Sequence, residues 1–101
     1  MARARNKRRT QIEDHVLRLF IAGDTPNSRT ATRNLHRLRE SLGGKFGVEI
    51  VDVTRNAQMA LDHRIFATPT LQVVEPSLET LIFGDLSDRD ALRTVFPESV
   101  I

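Results

Sequence analysis

With 101 residues, 40% of them hydrophobic and 28% charged, the chain has the length of one domain and the composition of a soluble globular protein. It contains no cysteine, which excludes a disulfide, a thiolate nucleophile and a Cys-ligated metal. The formal charge is only +2, no apolar run is long enough to cross a bilayer, and the basic start is not followed by a secretion-type apolar stretch, so a cytoplasmic location is expected.

Residues 1–13 carry many charges without an apolar period and read as a flexible basic tail ahead of a single domain over residues 14–101. Arg3, Arg5, Lys7, Arg8 and Arg9 could attract phosphate. No aromatic residue stands among them to stack on a base, so a solvated tail is the preferred reading and nucleic acid is not the expected partner. Residues 16–22 follow, short and nearly all apolar, as in a strand covered on both faces. Gly23 ends it.

Thr25 can cap the next helix with its hydroxyl, and Pro26 suits the first helical position, where its missing N–H would be unpaired anyway. Ala31, Leu35, Leu38 and Leu42 then recur at helical spacing and form one stripe, with Arg29, Arg33, Arg37 and Glu40 toward water. Gly43-Gly44 stops the helix. Residues 48–53 form a second strand, so strand, helix and strand make a right-handed crossover with parallel pairing.

Asn56 caps a further helix whose weak apolar face is Met59, Ala60, Leu61 and Ile65. Its exposed face is expected to hold Arg55, Gln58, Asp62 and His63. The turn Phe66-Ala67-Thr68-Pro69 is expected to end it, because the residue before a proline avoids the helical region. Residues 70–74 and 80–83 are rich in β-branched side chains and flank an acidic loop at 75–79, which reads as a hairpin. Ser87 is expected to start the last helix, with Asp90 completing a capping box and Leu86 stapled onto Ala91. Ala91, Leu92, Val95 and Phe96 form its buried face, and Pro97 stops it.

The side chains supply little chemistry of their own. His15, His36 and His63 lack metal-ligand spacing, and there is no glycine-rich phosphate loop. Ser28 has no base near it in sequence and is better explained by hydrogen bonding at the helix start. No metal, cofactor or catalytic activity is expected. The element order βαβαββα resembles the thioredoxin-like α/β arrangement, with Thr25-Pro26-Asn27-Ser28 standing where that superfamily carries its redox Cys-x-x-Cys. The resemblance further implies a cis peptide bond before Pro69. A degenerate glutaredoxin-like enzyme is the reading that the missing sulfur weighs against.

Four motifs together resemble the KaiB family of circadian-clock proteins. They are Ala22-Gly23-Asp24-Thr25-Pro26-Asn27-Ser28, then Val51-Asp52-Val53 with Asn56 and Gln58, then Ala67-Thr68-Pro69-Thr70-Leu71, and Gly84-Asp85-Leu86-Ser87. The related sensor domain of the clock histidine kinase is similar, so a sensor or adaptor for a histidine kinase or stress-response system is the alternative. The resemblance implies a non-enzymatic protein that binds KaiC, a hexameric ATPase and kinase, and modulates its phosphorylation, with KaiA or a histidine kinase as a further partner. It also implies a second fold, βαββααβ and often tetrameric, beside the monomeric thioredoxin-like one. Arg55, Asn56, Gln58, Met59 and Asp62 are the residues it places against KaiC. Ala67, Thr68 and Pro69 shape the turn, and Gly84, Asp85 and Ser87 bias the switch. Ala57, the acidic loop and Pro97 depart from the family pattern. The strand preference of residues 70–83 and the helical pattern of 87–96 agree with the thioredoxin-like monomer.

Overall fold

The computed structural model describes residues 15–97, so the expected basic tail lies outside the described residues. The elements are β1 (Val16–Ile21), α1 (Pro26–Ser41), β2 (Gly47–Asp52), α2 (Ala57–Asp62), β3 (Thr70–Glu75), β4 (Leu78–Phe83) and α3 (Arg89–Val95). They build one sheet in the order β2-β1-β3-β4. β1 runs parallel to β2 and antiparallel to β3, and β3 runs antiparallel to β4. This is the expected thioredoxin-like order, reached because the αβ crossover forces parallel pairing while the short hairpin forces antiparallel pairing.

β1 is central, and its alternation sorts side chains between two cores. Leu17 and Leu19 join Leu71 and Val73 of β3, Ile82 of β4, and Ala31, Leu35 and Leu38 of α1. Phe46, Leu86, Leu92 and Phe96 complete this larger core, with the Phe46 and Phe96 rings edge to face at 5.8 Å. Phe20 points to the opposite face and meets Val51, Ala60 and Ile65, with Val53, Met59 and Leu81 packed around them. α1 and α3 thus cover one face of the sheet, and the six-residue α2 partly covers the other.

α1 and α2 both end in the same helix-terminating device. At the end of α1, Gly43 N–H donates to Glu40 O and Gly44 N–H to Arg39 O, with Gly43 at φ +72°. At the end of α2, Arg64 N–H donates to Leu61 O and Ile65 N–H to Ala60 O, with Arg64 at φ +59°. These paired bonds satisfy carbonyls that the helix leaves orphaned. Ile65 packs into the same small core as Ala60, the apolar contact that accompanies this motif. The end of α2 is therefore set at His63 and Arg64, and the proline turn lies further on.

Three other expectations change. The hairpin loop is two residues, Pro76 and Ser77, because Glu75 pairs with Leu78 and the strands extend further than their apolar runs. α3 is capped by Asp88, whose carboxylate accepts from the N–H of Asp90 and Ala91. Ser87 instead donates to Asp85, so the capping box does not form. Leu61 is 59% exposed, whereas His63 is half-buried, with its ring 5.9 Å from Phe20 and its Nδ1 3.3 Å from Gln72 Nε2.

Candidate functional site

The N-terminal turn of α1 lies where β1 ends. Thr25 caps it by accepting from Ser28 N–H, and Pro26 occupies its start. Ser28 is 2% exposed, and its Oγ accepts from Ala22 N–H at 3.2 Å and from the Thr25 hydroxyl at 2.8 Å. A side chain bound this way from both sides is a structural tie between strand and helix, not a presented nucleophile. The Thr68–Pro69 bond is cis, and the Pro69 carbonyl accepts from Gly84 N–H at 2.9 Å. Thr70 Oγ1 donates to Ala67 O at 2.7 Å, so the turn at 67–69 is fixed to the first residue of β3.

Asp52, the last residue of β2, organises the entrance to α2. Its Oδ1 accepts from Gly23 N–H at 2.9 Å, from Thr54 N–H at 3.0 Å and from the Thr54 hydroxyl at 2.7 Å. The Thr54 hydroxyl above all, then the Gly23 and Thr54 amides, stabilise the carboxylate and hold its pKa below the ordinary value. Arg55 lies 3.9 Å from the same group and is otherwise open to solvent. Asn56 then caps α2 by accepting from Met59 N–H at 3.3 Å.

Four of the five expected contact residues, Arg55, Asn56, Gln58 and Asp62, are exposed on this short segment. Gln58 Nε2 donates to Asp62 Oδ1 at 2.9 Å along the helix. Met59 is half-buried against the Phe20 core, and Asn56 Nδ2 sits 3.8 Å from its sulfur. The sequence reading missed Phe66, which is 80% exposed in the turn after α2, and Phe83, which is 67% exposed at the end of β4. An aromatic at a turn carries no periodic signal, and alternation along β4 could have flagged only Phe83.

Beyond the end of α2 the same face of the sheet carries a polar rung that the local sequence pattern does not reveal. Arg18 Nε meets Glu49 at 2.6 Å, and its Nη1 donates to Gln72 Oε1 at 2.7 Å. Gln72 Nε2 faces both His63 Nδ1 and Glu79. Gln72 is 1% exposed, yet every polar atom of its amide has a partner, as a buried amide requires. Gln72 therefore orients both Arg18 and the end of α2.

The residues expected to bias a switch form a second turn. Gly84 is at φ +101° and the buried Leu86 at φ +67°. Between them Asp85 Oδ1 accepts from the Ser87 hydroxyl at 2.6 Å and from Ser87 N–H at 3.1 Å. The Ser87 donors hold the Asp85 carboxyl below its ordinary pKa. Asn34 of α1 donates to Asp85 O at 3.0 Å and anchors this turn to the helix. Among the described residues no three His, Asp or Glu side chains meet as metal ligands would, and no helix is long and apolar enough to cross a membrane.

The sheet order, the cis proline and the strand–helix turn beside it define a thioredoxin-like protein without its sulfur. Solved structures agree on the fold. The chain superimposes on thioredoxin from Fasciola hepatica with a TM-score of 0.71 at 16% identity, covering 97% of this chain and 93% of that one. Mitochondrial thioredoxin 3 of Saccharomyces cerevisiae gives 0.70 at 16% identity, covering 94% and 89%. The sequence is more particular. The KaiB domain model matches residues 18–97. The circadian clock oscillator protein KaiB of Acaryochloris marina is 46% identical over 77 residues, 75% of this chain and 74% of that protein. Its counterpart in Microcystis aeruginosa is 44% identical over the same shares. The chain belongs to the KaiB family.

Proposed function

We propose that this chain is a non-enzymatic cytoplasmic clock regulator that binds a KaiC-like hexameric ATPase and modulates its phosphorylation. The observation that carries the reading is the exposed α2 segment, presented on a KaiB-family chain in the thioredoxin-like arrangement. Arg55, Asn56, Gln58 and Asp62 offer both signs of charge and amide hydrogen bonds on one short segment, the entrance to α2 and the helix itself. Met59, with a flexible and polarizable side chain, contributes from the helix's inner edge. The turn at Ala67, Thr68 and Pro69 sets the angle at which this segment meets a partner. A framework with no thiol has recognition as its task.

Gly84, Asp85 and Ser87 mark the hinge of an exchange with the βαββααβ fold. In this chain the exchange rests on the thioredoxin-like side as a monomer, with the tetramer confined to the other fold. The sequence supports this: β3 and β4 are rich in strand formers, and Pro97 would remove a ladder donor from a C-terminal strand. A ligand shifts such an equilibrium only by preferring one state, and KaiC is the ligand that prefers this one. KaiA or a histidine kinase is the further partner.

The test is size-exclusion chromatography of the full chain with KaiC and ATP. The chain should co-elute with the hexamer, and Gln58→Ala with Asp62→Arg should abolish co-elution while the free variant elutes unchanged. Failure of the unaltered chain to co-elute, or retention by a histidine kinase in its place, contradicts the proposal.

A further inference from the structure

Away from α2, a cleft of about 220 Å3 opens between α1 and the start of α3, lined by Asn34, Arg37, Leu86, Ser87 and Arg89. Arg37 and Arg89 are both exposed and stand on different helices. Neither forms a hydrogen bond or ion pair among the described residues, nor does Arg33, one helical turn from Arg37 on the same face. Most other described arginines are engaged. Arg18 meets Glu49, Arg29 meets Asp24, Arg93 meets Asp90, Arg55 lies near Asp52, and Arg39 donates to Phe46 O.

Glu40, three residues from Arg37, forms no ion pair with it among the described residues, and Asp90, next to Arg89, is paired with Arg93. Asp85 Oδ1 is turned onto Ser87, and Asp88 Oδ1 accepts both Asp90 and Ala91 N–H at 3.1 Å. Asn34 uses one amide N–H on Asp85 O, which leaves its second N–H at the cleft. Guanidinium forks match phosphate geometry and form short charge-assisted bonds to it. A single carboxylate needs only one such fork. Forks from two helices, with a third one turn away, match an anion of higher charge.

We propose that this cleft binds a multiply charged phosphate anion, the diphosphate group of a nucleotide or inorganic pyrophosphate, held by Arg37 and Arg89 with Arg33 at its rim. The site is independent of the α2 surface and leaves it free for a protein partner.

The experiment is a nitrogen–proton NMR titration of the full chain with pyrophosphate, with ADP and with acetate, at matched ionic strength. Saturable shifts should appear at Asn34, Arg37, Ser87 and Arg89 with pyrophosphate or ADP, and the tighter of the two identifies the source. Acetate should bind at least ~10-fold more weakly. The double variant Arg37→Gln, Arg89→Gln should weaken phosphate binding by ~10-fold or more, whereas Arg93→Gln, whose arginine is already paired, should change it less than ~2-fold. Unchanged α3 amide positions in the double variant show that it folds. Shifts confined to residues 1–9, equal response to acetate, or full binding by the double variant would each overturn the proposal.

Discussion

The two faces of the sheet are unequal. On one, α1 and α3 bury twelve residues in a continuous core that takes side chains from β1, β3 and β4. On the other, α2 buries four, and a charged rung from Glu49 through Arg18 and Gln72 to Glu79 takes over where the helix ends. The first face has the apolar contact to hold the fold. The second has little apolar burial to resist local opening, and regions with few buried contacts open at low cost. The segment proposed for recognition is thus the element whose packing constrains it least.

The largest test of this asymmetry lies in the larger core. Leu35 is fully buried between α1 and the sheet. Leu35→Ala should cost about 3 kcal/mol, because a truncated core side chain loses transfer energy and leaves a cavity. Urea denaturation should show this as a lower midpoint, with hydrogen-exchange protection reduced across the whole sheet. A loss confined to α1 would break the comparison.

Asn56→Ala probes the other face. Loss of this cap should cost about 1 kcal/mol. Exchange should accelerate in α2 while β1 and β3 amides keep their protection. Equal acceleration everywhere would mean that α2 opens only with the whole molecule.

Arg64 sharpens the comparison from a different side. α1 ends on a glycine at positive φ and α2 on an arginine, although the bonding is the same. Only glycine takes this conformation without a Cβ penalty. Arg64→Gly should therefore raise stability by about 0.5 kcal/mol, after allowing for the greater freedom of glycine in the unfolded chain. A lower thermal midpoint would show that the Arg64 side chain contributes more than its backbone costs.

The pH response is the smallest effect. Asp52 and Asp85 are both held below the ordinary carboxyl value of 3.8, chiefly by the hydroxyls of Thr54 and Ser87. A carboxylate whose folded pKa is depressed contributes stability above its unfolded pKa and loses it as pH falls through the folded one. Stability should therefore fall below about pH 4, where the unfolded chain takes up protons first. Asp52→Asn should flatten part of that fall in urea midpoints measured from pH 6 to pH 3. Both groups lie at the surface, so salt should weaken the effect.

The sequence was most legible on the larger face. α1 has sixteen residues, enough for Ala31, Leu35 and Leu38 to declare a stripe, and caps at both ends. β1 is legible as a strand covered on both faces because its run is nearly all apolar, Arg18 apart. α2 has six residues, fewer than two turns, so no period could separate the exposed Leu61 from the half-buried His63. Ser87 and Asp88 are both good caps, and only the competing Asp85–Ser87 bonds decide between them. The hairpin loop is shorter than the acidic run suggests because Leu78 and Glu79 pair through their backbones whatever their side chains. Of the residues proposed for docking, the exposure of Arg55, Gln58 and Asp62 follows from their charge or polarity, whereas Phe66 and the Gln72 rung depend on long-range placement that local pattern cannot supply.

The proposed α2 surface is best probed by hydrogen exchange on the full chain, alone and with KaiC and ATP. KaiC should slow exchange at residues 55–63 and in the following turn, while α1 and α3 change little. Protection gained over α1 and α3, with α2 unaffected, would contradict the proposal.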